Sequence, residues 1–130
     1  RTAVWFGLDG VVLFGSCADP FSPKVIRSSM GAIFHIDILR SVQYGLISEF
    51  LDNWIKIGTF LDRKNDYVSD RGGKRILFLG NEASGLDKEL EKETDMNYRI
   101  DAAGTFDSLN VSVAGGILMY EIFNKRRTRC

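Results

Sequence analysis

Apolar residues fall in short runs separated by longer amphipathic stretches. That alternation predicts an α/β fold, a mainly parallel sheet flanked by helices. Gly10 to Phe14 (GVVLF) reads as a buried strand, Ala32 to Ile36 as a second, Thr59 to Leu61 as a short third and Tyr98 to Ile100 as a minor one. Arg75 to Leu79 (RILFL) is the clearest strand. Between them, Arg1 to Phe6 reads as the end of a helix stopped at Gly7. Ser22-Pro23 supplies an N-cap and a proline at the first helical position, for a short helix that runs to Met30 and stops at Gly31. From Ser41 to Lys56, Leu46, Ile47, Phe50, Leu51, Trp54 and Ile55 repeat at helical spacing, which predicts one wide buried face ended by Gly58. Asp62 to Lys74 is polar and reads as a loop, and Val111 to Asn124 as the last helix.

The chain has 130 residues, enough for one domain with a core of its own. Seventeen basic residues balance seventeen acidic ones, so a polyanionic partner would have to be met by local patches rather than by a global field. Two cysteines, Cys17 and Cys130, do not make a disulfide framework and fit a reducing compartment. No apolar run approaches the ~20 residues that span a bilayer, and no signal peptide is read. The expectation is a cytoplasmic protein, or an organellar one in a eukaryotic cell, with no membrane partner.

The stretch Leu79-Gly80-Asn81-Glu82-Ala83-Ser84-Gly85-Leu86 follows the clearest strand directly. Ligands of parallel α/β sheets bind beyond the carboxyl ends of strands, and Gly80 and Gly85 would let a flat ligand approach the backbone. An ordinary strand-to-helix turn accounts for the same residues. Neither Gly-x-Gly-x-x-Gly nor a P-loop is present, which disfavours those two nucleotide folds. A second stretch, Gly104 to Gly116, carries Ser108-Leu109-Asn110 into a helix whose first turns hold small residues and valine. Free N–H groups at such a helix start suit a polar ligand, while Ser108 and Asn110 serve equally as caps. A third stretch, Phe21 to Ala32, carries Ser28, Ser29 and two cations on a short helix, which solvated surface explains. The lone His35 fits a core or edge position better than a base, and no His/Cys cluster offers a metal site. The basic tail Lys125 to Arg129 reads as solvated.

Taken together, four ordered segments resemble the SpoU (TrmH-like) family of SPOUT methyltransferases. They are Arg1-Thr2-Ala3 with Phe6-Gly7, Arg27 to His35, Leu79-Gly80-Asn81-Glu82 with Gly85-Leu86, and Ser108 to Ala114. The resemblance implies a deep C-terminal trefoil knot, a homodimer, and S-adenosylmethionine held by backbone loops. By motif position the cofactor residues are Leu79, Gly80, Asn81, Glu82, Gly85, Ile100, Ser108 and Leu109, with the Thr59 to Leu61 edge nearby. The family's catalytic arginine falls on Arg1, and Glu82, Ser108 and Asn110 match residues that shape the acceptor site. The asparagine half of the first motif would precede Arg1, so residues 1–130 are expected to form a catalytic domain lacking its N-terminal part. The implied activity is methyl transfer to a ribose 2′-OH in tRNA or rRNA, without metal. A non-catalytic knotted RNA-binding or assembly protein is the alternative, and an unrelated nucleotide-binding α/β domain a third reading.

Overall fold

The computed structural model describes residues 1–60, 62, 73–81, 84–104 and 108–123. Glu82, Leu61, most of the 62–74 loop, Cys130 and the basic tail therefore lie outside the described residues. The chain divides into two compact units, Arg1–Ile47 and Ser48–Cys130.

The first unit opens with α1 (Thr2–Trp5), which ends at Phe6 before Gly7 turns at φ +68°. β1 (Gly10–Phe14) follows with the expected bounds. α2 (Pro23–Ser29) starts because the Ser22 hydroxyl accepts from the Val25 N–H at 3.4 Å and Pro23 is pre-set for the first helical position. Its end is a pair of left-handed residues, Met30 at φ +51° and Gly31 at φ +82°. The expected strand over Ala32 to Ile36 is instead a 3₁₀ turn, Ala32–His35, with Ala32 and Ile33 buried. The Gly31 reversal leads into a tight turn, and the extended chain begins two residues later as β2 (Asp37–Val42). His35 is accordingly exposed on that turn, not a core histidine. β1 and β2 pair in parallel, and Phe14 meets the buried Tyr44 ring at 6.1 Å between centroids.

α3 (Tyr44–Leu51) is half the length the periodicity predicts. Asp52-Asn53 breaks it with turn chemistry, and Ile55 and Lys56 belong to the next strand. Leu46 and Phe50 are exposed, at 72% and 78%, so the wide buried face narrows to Leu51 with the half-buried Ile47.

In the second unit, β3 (Ile55–Thr59) is the middle strand of a parallel sheet ordered β4-β3-β5, with β4 (Arg75–Phe78) and β5 (Met96–Tyr98). β3 thus lies earlier than Thr59 to Leu61, and β5 two residues earlier than Tyr98 to Ile100. Gly58 does not end a helix. It is buried in β3, where a Cβ would stand 2.6–2.8 Å from Phe60 and Thr94. α4 (Lys88–Lys92) is capped by Asp87, whose carboxylate accepts from the Glu89 N–H at 2.8 Å. α5 (Val111–Phe123) packs Leu118 and Ile122 on Ile57, and Ile55, Leu77, Leu79, Met96, Tyr98, Ile100 and Phe123 surround that core. The Lys56 ammonium is mostly buried, 3.6 Å from the Asp95 carboxylate, which also accepts from the Lys56 N–H at 2.8 Å. No helix among the described residues is long and apolar enough to cross a membrane.

Candidate functional site

Three parallel strands end on one side of the second unit, and their exits are the segments singled out in the sequence. The register sets Gly58 beside both Phe78 and Asn97, and Thr59 beside Tyr98. Leu79-Gly80 and Arg99-Ile100 therefore leave the sheet on either side of Thr59. The Thr59 hydroxyl donates to the Phe78 carbonyl at 3.2 Å, which ties the β3 and β4 exits together.

Beyond β4 the backbone folds back on itself. Asn81 and Gly85 exchange N–H···O bonds of 2.9 and 2.8 Å, with Gly85 at φ +71°. This closure requires glycine at position 80: a Cβ there would lie 2.3 Å from the Gly85 carbonyl carbon and 2.5 Å from the Leu86 nitrogen. Asn81 acts here through its backbone and is exposed.

Leu79 ties the loop to α5. Its side chain lies 3.0 Å from where a Cβ on the buried Gly115 would be, so the small residues of that helix serve close packing. At the start of α5 the Asn110 Oδ1 accepts from the Ser112 N–H at 2.9 Å and from its hydroxyl at 2.6 Å. Asn110 is thus the cap, while Ser108 is exposed two residues earlier. The half-buried Leu79 and Ile100 supply apolar surface at these exits, and Leu109, at 46% exposure, lies just before α5. Backbone N–H and C=O groups beside a few apolar side chains are what a nucleoside-like ligand needs.

One pair at this edge escaped the sequence reading. The Tyr98 hydroxyl donates to the Glu121 carboxylate. Burial, then the hydrogen bond and the charge of Glu121, push the Tyr98 hydroxyl up to about 12. A single carboxylate in the otherwise apolar run Ile117 to Phe123 was the available signal. Flanking Ile100, the Arg99 guanidinium is 3.3 Å from the Asp101 carboxylate.

Arg1 belongs to the first unit. It is exposed at the N-cap of α1, where its carbonyl accepts from the Trp5 N–H at 3.0 Å. Among the described residues no three His, Cys, Asp or Glu side chains gather as metal ligands.

Solved structures carry this arrangement. An AdoMet-bound rRNA methyltransferase from Sinorhizobium meliloti matches with a TM-score of 0.87 and 33% identity, over 100% of this chain and 50% of that one. The SpoU methyltransferase AviRb from Streptomyces viridochromogenes, in complex with AdoMet, matches with a TM-score of 0.87 and 27% identity, over 98% of this chain and 51% of that one. The fold is therefore α/β with parallel sheets flanked by helices, of the knotted SPOUT class. The sequence pattern of the SpoU rRNA Methylase family matches residues 1–120, and the chain belongs to that family. A relative from Bacillus subtilis, the 23S rRNA (guanosine(2553)-2′-O)-methyltransferase RlmP, is 37% identical over 124 residues, 94% of this chain and 50% of that protein. The chain spans about half the length of each of these proteins.

Proposed function

We propose that this chain is the catalytic part of an enzyme that transfers a methyl group from AdoMet to a ribose 2′-OH of rRNA or tRNA. The observation that carries the reading is the carboxyl edge of the β4-β3-β5 sheet, where a backbone-closed glycine loop flanks strand exits lined by apolar side chains. AdoMet, when bound, supplies an electrophilic methyl on a sulfonium. Leu79, Gly80, Asn81, Gly85, Ile100, Ser108 and Leu109, with Glu82, hold it by backbone groups and apolar contact. The closure that Gly80 permits supports the fit, because it fixes the loop that presents these groups beside Leu79.

The acceptor side is assigned to Arg1, Glu82, Ser108 and Asn110. The Asn110 Oδ1 is committed to the helix cap, so its amide nitrogen is the group offered to the acceptor. Methyl transfer is an in-line displacement, and alignment alone can supply roughly 7–11 kcal/mol of barrier reduction. Arginine is a poor base, with a pKa above ~12, so Arg1 acts as a cation beside the developing alkoxide or an adjacent phosphate.

The active form in this reading is a homodimer. Val113, Ile117 and Tyr120 repeat along one face of α5 and are 50%, 37% and 55% exposed, although the helix is apolar nearly all round. Such a helix is ordinarily covered. Phe123 instead packs on the Ile57 core.

Calorimetric titration of the full-length protein with AdoMet tests the cofactor assignment. Saturable one-site binding is expected. Absence of binding at millimolar AdoMet would remove it.

A further inference from the structure

The first unit has a pocket of its own that the methyl-transfer reading leaves unused. It holds about 180 Å³ at the carboxyl ends of β1 and β2, and its lining includes Leu13, Cys17, Asp19, Pro20, Arg40 and Ser41. This is the edge at which parallel sheets bind ligands.

The local backbone is built to aim one side chain there. β1 and β2 pair one-to-one from Gly10↔Asp37 to Val12↔Leu39, but Phe14 then pairs with Val42. One extra residue is therefore accommodated in β2, at Arg40-Ser41, and Ser41 takes φ +53°. Bulges are uncommon between parallel strands, and they re-aim side chains next to sites. The guanidinium of Arg40, so turned, lies 4.9 Å from the centre of the Phe21 ring and 3.6 Å from the Asp19 carboxylate. Asp19 is itself fixed by accepting from the Phe21 N–H at 3.1 Å. The Phe21 ring thus lies beneath the Arg40 guanidinium, and the Arg40 side chain is still 55% exposed.

The charges decide what this platform accepts. Asp19 offsets the charge of Arg40 and would repel a lone phosphate placed between them. A flat, neutral group with donors and acceptors on its edge meets no such penalty. It stacks on the open face of the guanidinium, whose charge Asp19 already offsets. We propose that this pocket takes one unpaired base of the RNA, stacked on Arg40 and backed by Phe21. Arg40 is the contact residue and Phe21 a positioning residue. The inference rests on the reading of the protein as an RNA methyltransferase.

The test uses the full-length protein and a fluorescent, mixed-sequence single-stranded oligoribonucleotide, with affinity read by anisotropy. Arg40→Ala should weaken binding about tenfold, and Arg40→Lys nearly as much because the planar face is lost. Phe21→Leu, which keeps the fold, should weaken it severalfold. Abasic nucleotides are then placed singly along the RNA. One position should weaken wild-type binding yet leave Arg40→Ala binding unchanged, so that the two losses do not add. AdoMet affinity should stay within about twofold of wild type in every variant. The inference is overturned if Arg40→Ala and Phe21→Leu bind RNA as wild type does, or if no abasic position couples to Arg40. It is equally overturned if AdoMet affinity falls while RNA affinity holds, which would make the base that of the cofactor. Methyl transfer by the wild type in parallel separates the two readings: transfer with unaltered variants sinks only the pocket, and absence of transfer sinks the function.

Discussion

The Tyr98 hydroxyl, at the end of β5, donates to the Glu121 carboxylate on α5 and thereby fastens the last helix to the edge from which Ile100 emerges. The folded protein holds this hydroxyl protonated up to about 12, against an ordinary value of 10.0. Its folded-state value is raised, so its contribution to stability is complete below about pH 10 and is lost as pH climbs toward 12. Tyr98→Phe should cost about 1 kcal/mol at neutral pH, where Glu121 keeps its charge but loses a donor. Urea denaturation at neutral pH and at high pH checks both statements. The gap between wild type and variant should narrow as the wild type loses the same bond, and a gap independent of pH contradicts the assignment.

Gly80→Ala places a methyl into the Gly85 backbone. The Asn81–Gly85 closure must open, while the Ile57–Leu118–Ile122 core is untouched. AdoMet affinity should fall at least about tenfold, which is roughly 1.4 kcal/mol, and far-ultraviolet circular dichroism should not change. Unaltered calorimetric affinity would take this loop out of the cofactor site.

Lys56 and Asp95 form a pair far from the proposed chemistry, at the opposite end of β3 from Thr59. Asp95→Ala strands a mostly buried ammonium and removes an acceptor from the Lys56 N–H. Half of the Asp95 side chain is exposed, which tempers the loss to about 2 kcal/mol. Thermal denaturation should show that loss, with AdoMet affinity unmoved.

The exposed face of α5 predicts self-association. Light scattering at tens of micromolar should return the mass of two chains, and Ile117→Asp should return one. A monomeric wild type would remove the dimer from the account.

Much of the fold was legible because its signals are local. Gly10 to Phe14, the Ser22-Pro23 start and Gly31 stop of α2, the strand read over Arg75 to Leu79 and found over Arg75–Phe78, and the helix from Val111 were all read from neighbours in sequence. The readings that failed depended on partners elsewhere. Leu46 to Ile55 repeats like a single helix, yet pairing with β4 draws Ile55 and Lys56 into the sheet and leaves Leu46 and Phe50 outside. Gly58 punctuates nothing; it makes room for Phe60 and Thr94. In the site, the glycines and Asn110 announced themselves through turn and cap chemistry. The Tyr98–Glu121 pair and the bulge at Arg40 did not, since each exists only once two distant segments are in register.

The account turns on whether the protein methylates ribose and whether Arg1 serves that step. The direct measurement is single-turnover transfer from radiolabelled AdoMet to rRNA or tRNA by the full-length protein and its Arg1→Ala variant, with the product located by resistance of the 2′-O-methylated linkage to alkali. We predict alkali-resistant product from the wild type. In Arg1→Ala the rate should fall by about two to three orders of magnitude while AdoMet affinity barely changes, because a cation beside the acceptor oxygen matters chiefly as charge develops there. A wild type that leaves the ribose unmodified would contradict the proposed activity, and an Arg1→Ala rate within a few-fold of wild type would contradict the role of the arginine.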